Sequence, residues 1–259
     1  MKITSPSSNL GDNLWITAVL KYCNYPVQMK DEERCRKISK IYNNLTSVEF
    51  VNGLNHYPLN KQTHNTKQIF SQIGLDFKNK NLIPKIKLDE SEIKWAKKFL
   101  EKYENPIVVI NDNSGSNDPF NQRASFVLPP RKIIQEVVNY LSDKFCVLQF
   151  GLVENFYRAG YSNFTPLENA YHIRGLEARE LAACYHVIGK YIGGDTGDYH
   201  LMLAVGGIAT TLVPKESCEM GYLYSNLFYA KDMWNGEDIR VTYINYLDLE
   251  TIGKTIKKL

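Results

Sequence analysis

Ile192-Gly193-Gly194-Asp195-Thr196-Gly197-Asp198-Tyr199-His200-Leu201-Met202-Leu203-Ala204-Val205-Gly206-Gly207 is the stretch that decides how this chain is read. Before it runs His186-Val187-Ile188-Gly189-Lys190-Tyr191-Ile192, which reads as a short strand. After the turn, Leu201, Ala204 and Val205 fall at i, i+3 and i+4, the spacing of one helix face. The residues between are small turn formers, and Asp195 is a good N-cap with Asp198 three positions on, close to a capping box. A helix that starts this way offers backbone N–H groups and a partial positive charge, so it suits a phosphate. An ordinary capped turn would share some of these residues. Asp-Thr-Gly with a His three residues past the glycine is a narrower pattern.

A second strand–loop–helix unit stands at the N-terminus. Met1-Lys2-Ile3-Thr4 reads as a strand, Ser5-Pro6-Ser7-Ser8-Asn9 as a polar loop, and Leu10-Gly11-Asp12 as the approach to an apolar helix from Leu14 to Leu20. A carboxylate at the mouth of such a unit can face a cleft and act as a general base. The simpler reading of Asp12 is a helix cap.

Together the two stretches resemble the heptosyltransferase-like glycosyltransferases, the family that includes the lipopolysaccharide heptosyltransferases. Asp195, Thr196, Gly197 and His200 match its D-T-G-x-x-H run, which closes on a donor diphosphate. Gly11, Asp12 and Thr17 match its N-terminal pattern, while Ala18 stands where Pro is usual. The resemblance implies that Asp12 deprotonates the acceptor hydroxyl, with Asn9 and Gly11 in the loop beside it. It also implies a GT-B fold of two Rossmann-like, doubly wound α/β domains facing a cleft. Residues 1–104 would form the acceptor-side domain, shorter than is usual, and residues 105–259 the nucleotide-sugar domain.

Further ligands follow from the same resemblance. Diphosphate contacts fall to Ser114 and Ser116, in the loop after the strand Ile107–Ile110, and to Arg123 where the family has Lys. An Arg fork grips a diphosphate well. Nucleoside contacts fall to Glu154, placed for the ribose hydroxyls, and to Gln149 at the base or sugar edge. GT-B enzymes generally use the helix dipole and cationic residues in place of a metal. No metal and no cofactor is therefore expected beyond the nucleotide-diphosphate sugar, and Asp195-x-x-Asp198 is not a metal-binding D-x-D.

Composition is consistent with this class. Of 259 residues, 44% are hydrophobic and 23% charged, as in a globular enzyme. No apolar run approaches the roughly 20 residues of a membrane span. No signal peptide is evident at the N-terminus, and five cysteines without a framework suit reduced thiols. The expected location is the cytoplasm, with the inner membrane face as a peripheral option. Lys and Arg outnumber Asp and Glu by 17 to 11 in residues 1–104 and fall behind them by 14 to 17 in the rest. A basic first half suits an anionic acceptor, such as a phosphorylated surface saccharide.

Strand-like and helix-like segments alternate along the whole chain, which predicts a doubly wound α/β fold. Helices are predicted at Asp31–Asn43, His64–Ile73, Asp89–Tyr103, Pro130–Lys144, Glu177–Tyr185 and Leu249–Lys258. Strands are predicted at Pro26–Met29, Ser47–Val51, Ile107–Ile110, Phe145–Phe150, Tyr171–Gly175 and Ala209–Val213. The expected function is inverting, metal-independent transfer of a sugar to an acceptor hydroxyl. The alternatives are the same chemistry on another acceptor such as a modified DNA base, nucleic acid being the less favoured partner, and a non-catalytic nucleotide-sugar binding protein.

Overall fold

The computed structural model describes residues 1–6, 10–57, 65–78, 80–104, 107–110, 129–152, 166–194, 196–213, 241–245, 248–256 and 258; for a few of these, Asp12 among them, it describes the backbone alone. The elements of the first half are β1 (Ile3–Thr4), α1 (Leu10–Val19), β2 (Val27–Lys30), α2 (Glu33–Ser39) with a 3-10 turn at Lys40–Tyr42, β3 (Val48–Val51), α3 (Asn65–Gln72) and α4 (Glu90–Leu100). Those of the second are β4 (Ile107–Ile110), α5 (Arg131–Ser142), β5 (Cys146–Leu152), β6 (Tyr171–Leu176), α6 (Ala178–Ile188), β7 (Lys190–Gly193), α7 (Gly197–Ala204), β8 (Ile208–Val213), β9 (Val241–Asn245) and α8 (Leu249–Ile256).

Two sheets result, and every strand pair in them is parallel. The first has the order β1-β2-β3 and the second β6-β5-β4-β7-β8-β9. Counted within its own half, the second sheet runs 3-2-1-4-5-6, the order of dinucleotide-binding Rossmann domains. The order reverses between β4 and β7, which pair at Val109 and Tyr191. In open α/β sheets the crevice outside the carboxyl ends of two such strands is where ligands bind. Sheet topology therefore directs attention to the chain leaving Ile110 and to the chain leaving Gly193.

Helices α1 and α7 lie at the centre of the molecule. Each is apolar on nearly every side, which marks a helix covered all round. Leu14, Trp15, Ile16, Ala18 and Val19 of α1 and Tyr199, Leu201, Met202, Leu203 and Ala204 of α7 are all buried. Each large apolar side chain so covered contributes about 1.5–3 kcal/mol. One continuous core joins Ile3, Leu14 and Met29 of the first half to Leu148, Tyr185 and Leu201 of the second. A smaller core under the other face of the second sheet gathers Ile134, Val138, Leu141, Ile192, Leu212 and Ile252.

Polar contacts strengthen this union. Arg179 of α6 is 7% exposed, and its side-chain hydrogen bonds among the described residues run to the first half. It donates to both carboxylate oxygens of Glu92 and to the carbonyls of Lys87, Lys40 and Asn43. The extended stretch Leu82–Leu88 also bridges the two central helices. Lys85 N–H donates to Thr17 Oγ1 at 3.0 Å, and Ile86 N–H to the Ala204 carbonyl at 3.0 Å.

Several local expectations shift. The stretch His186–Ile188 completes α6 instead of opening a strand, because the chain does not turn until Gly189, whose φ of +72° ends the helix in the left-handed region. Gly11 and Asp12 lie inside the first turn of α1, not before it. Thr196, not Asp195, is the N-cap of α7. The helix expected over 31–43 is broken into α2 and a 3-10 turn. Strand β9 is an addition, although its Val-Thr-Tyr-Ile-Asn run carries a β-branched signal. Among the described residues, no helix is long and apolar enough to cross a membrane.

Candidate active site

The site is built from two helix starts. Ser5, just past β1, is wholly buried, and its hydroxyl donates to Asn13 Oδ1 at 2.8 Å. The Tyr42 hydroxyl donates to the same oxygen at 2.9 Å and lies 3.0 Å from the Asn13 carbonyl. Burial drives the Tyr42 phenol well above its ordinary pKa, so it stays a neutral donor. These contacts pin the first turn of α1, and with it the backbone of Asp12.

The second helix start follows β7 at the switch point. Tyr191 donates to the Gly194 carbonyl at 2.9 Å and lies 3.3 Å from Thr196 Oγ1. Thr196, 6% exposed, caps α7 by position only, since its side chain makes no capping hydrogen bond. Its hydroxyl points instead at Asp198 Oδ2, 3.5 Å away. Asp198 is itself 8% exposed and accepts a hydrogen bond from the Tyr185 hydroxyl at 2.8 Å. Burial first, and then the Asp198 charge, push the Tyr185 phenol far up.

The two starts touch. A Cβ placed on Gly11 would lie 3.4 Å from Gly197 Cα and 3.5 Å from His200 Cδ2, and one on Gly197 would lie 3.5 Å from Gly11 N. His200 fills the space beneath, its ring edge-on to Trp15 of α1 at 4.6 Å. Burial pushes its pKa down to about 3, so His200 is a neutral imidazole at neutral pH. Any help it gives a phosphate is hydrogen bonding or packing, not charge.

The sequence-derived candidates thus separate into groups. Gly11, Thr196, Gly197 and His200 come together, with the backbone of Asp12 adjoining them. Gln149 lies within β5, level with Ile110, and is wholly buried; its Oε1 accepts from Leu167 N–H at 2.8 Å. It acts as an anchor for the chain entering β6. Asn9, Ser114, Ser116, Arg123, Glu154 and Asp195 lie outside the described residues, as does the Asp12 side chain. Among the described residues, no group of three or more His, Cys, Asp or Glu side chains is placed to hold a metal ion.

Tyr185, Tyr191 and Trp15 surround these residues without having been singled out in the sequence, and Asp198, read there as a near capping-box partner, bonds to Tyr185 instead. Their signal was weak but present: a buried tyrosine needs a partner for its hydroxyl, and an Asp inside an apolar helix start needs a donor.

No protein-family model matches the sequence, and no curated protein sequence matches it significantly. Solved structures do. The glycosyl transferase family 9 protein from Veillonella parvula superposes with a TM-score of 0.62 at 13% identity, covering 99% of this chain and 88% of that one. The E. coli ADP-heptose LPS heptosyltransferase II gives 0.56 at 12% identity, covering 99% of this chain and 100% of the other. The E. coli heptosyltransferase WaaC with ADP gives 0.53 at 10% identity, covering 98% and 97%. With a Rossmann strand order in its second sheet and these neighbours along its whole length, the chain has the α/β fold of the heptosyltransferase-like glycosyltransferases.

Proposed function

We propose that this protein is a glycosyltransferase that moves a sugar from a nucleotide-diphosphate donor to an acceptor hydroxyl, with inversion and without a metal. The observation that carries the reading is the contact between Gly11 and Gly197. It sets the backbone bearing Asp12 beside the helix start of the Asp-Thr-Gly turn, at the carboxyl edge of the second sheet.

In this reaction the acceptor oxygen attacks the anomeric carbon as the carbon–oxygen bond to the diphosphate breaks. Asp12 takes the acceptor proton, and the negative charge that develops on the diphosphate is met by the start of α7. Ser114, Ser116 and Arg123, in the segment after β4, and Asp195, next to the N-cap, complete the diphosphate site in this reading. Glu154 serves the nucleoside, and Gln149, whose Oε1 holds the Leu167 N–H, lies in β5 on the way to it in sequence. Asn9 shapes the loop before Asp12. The excess of Lys and Arg in residues 1–104 favours an acceptor carrying phosphate or carboxylate, such as a surface saccharide.

A thermal-shift screen over ADP, UDP and GDP and their sugars tests donor binding, since a ligand specific to the folded state raises Tm. Asp12→Ala is expected to keep that shift and to lose about 100-fold or more in transfer rate. Transfer undiminished in Asp12→Ala assigns the base elsewhere, and a donor that binds but is never transferred leaves a binding protein. Activity that vanishes in chelator and returns with Mn²⁺ contradicts metal independence. A DNA acceptor is distinguished by binding that weakens steeply with salt.

A further inference from the structure

The start of α7 contains two groups that ordinarily cap a helix. They are the hydroxyl of its N-cap, Thr196, and the carboxylate of its second residue, Asp198. Either would compete with an incoming anion for the first-turn N–H groups, and the carboxylate would also repel it. The structure turns both toward buried tyrosines. Thr196 makes no capping hydrogen bond and faces the Tyr191 hydroxyl and Asp198. Asp198 Oδ1 accepts from the Tyr185 hydroxyl, 2.8 Å away on the neighbouring helix α6.

Tyr185 has little freedom to do otherwise. It is fully buried, its ring stands edge-on to Phe150 at 5.4 Å, and it lies in the core that joins the two halves. A phenol in such a place must find an acceptor, and a carboxylate 8% exposed must find a donor. Tyr185 supplies such a donor to Asp198 Oδ1, on the side of α6, and Thr196 faces Oδ2.

We propose that Tyr185 is a positioning residue that holds the Asp198 carboxylate away from the anion site at the start of α7, so that a diphosphate can occupy it. This rests on the donor-site reading above and adds the residue that keeps the site open to anions. The role is electrostatic, which separates it from a merely structural one. Loss of the Tyr185 hydroxyl takes a buried donor from the Asp198 carboxylate beside the site, and removing that charge as well should restore binding.

The test measures binding of inorganic pyrophosphate and of ADP by calorimetry, with Tm recorded for every variant. Tyr185→Phe keeps the ring and its packing, and is expected to weaken both ligands about tenfold, the worth of one hydrogen bond to a charged group. Adding Asp198→Asn to Tyr185→Phe is expected to recover most of that loss, whatever happens to Tm. A Tyr185→Phe protein that binds pyrophosphate and ADP within twofold of wild type overturns the inference and leaves the donor-site reading standing. So does a double variant that binds no better than Tyr185→Phe. A wild-type protein that binds neither pyrophosphate nor ADP, UDP or GDP overturns both.

Discussion

Gly11 and Gly197 lie in backbone contact, so that the first turns of α1 and α7 abut with no side chain between them. Room exists for a methyl group, because a Cβ on Gly11 or Gly197 would fall 3.4 or 3.5 Å from the facing backbone, about ordinary contact distance. Gly197→Ala is therefore expected to fold normally and to change stability by less than about 1 kcal/mol, helix propensity offsetting the crowding. Gly197→Leu has no such room. It should part the two helix starts, costing about 1–3 kcal/mol in denaturant unfolding and abolishing transfer. A fully active Gly197→Leu protein would show that the two starts need not meet.

Arg179 fastens the second half of the chain to the first. Its removal takes the guanidinium from Glu92, whose side chain is 24% exposed and keeps the Asp89 N–H, and from three backbone carbonyls. Breaking a buried pair from one side typically costs about 3–5 kcal/mol. Arg179→Ala is expected to fall in that range by urea unfolding. Arg179→Lys should recover little, because a single ammonium cannot span both Glu92 oxygens and the carbonyls of residues 40, 43 and 87. Full rescue by lysine would assign the stability to charge alone.

His200 makes the fold sensitive to acid. Burial lowers its pKa to about 3 from the usual 6.5, so in the folded protein it stays neutral while the unfolded chain takes up a proton. Its contribution is complete above pH 6.5 and is lost as pH falls from there toward 3, at about 1.4 kcal/mol per pH unit. His200→Phe keeps an aromatic ring against Trp15 and removes the titration. The difference in unfolding free energy between wild type and variant should thus change steeply between pH 6.5 and 4. A flat difference over that range would mean that His200 becomes charged in place.

Thr211 of β8 carries a hydroxyl that is wholly buried, with no hydrogen-bond partner among the described residues, one strand over from Gly193. A buried hydroxyl without a partner is a cost, and Val has nearly the same shape. Thr211→Val is expected to stabilise the protein by about 1 kcal/mol, raising Tm by about 2–4 °C in calorimetry. A lower Tm would reveal an ordered water or another group bound to this oxygen.

Much of the local architecture could be read in advance. The helix expected over Asp89–Tyr103 is α4 (Glu90–Leu100), and Ile107–Ile110 forms a strand of the second sheet. The Asp-Thr-Gly turn does join a strand to a helix. Errors came where a neighbour overruled local preference. His186, Val187 and Ile188 favour a strand, yet they finish α6, where the His186 ring lies within hydrogen-bond reach of the Val205 carbonyl, 3.0 Å away. Asp198, a capping-box partner by its spacing, turns instead to Tyr185, because a phenol from an adjacent helix offers a buried donor. Gln149, expected at the base or sugar edge, is enclosed in the sheet and bonded to Leu167.

The amino-acid order by itself determined what depends on near neighbours: the alternation of strands and helices, the small residues at two helix starts, and an aspartate at each. Those features follow from backbone sterics and side-chain periodicity within a few residues. Only the tertiary structure decided the 3-2-1-4-5-6 strand order, the contact of Gly11 with Gly197, and the diversion of Asp198 to Tyr185. Those depend on which apolar faces cover one another across the whole chain, and central helices buried on every side carry no single face that names a partner in advance.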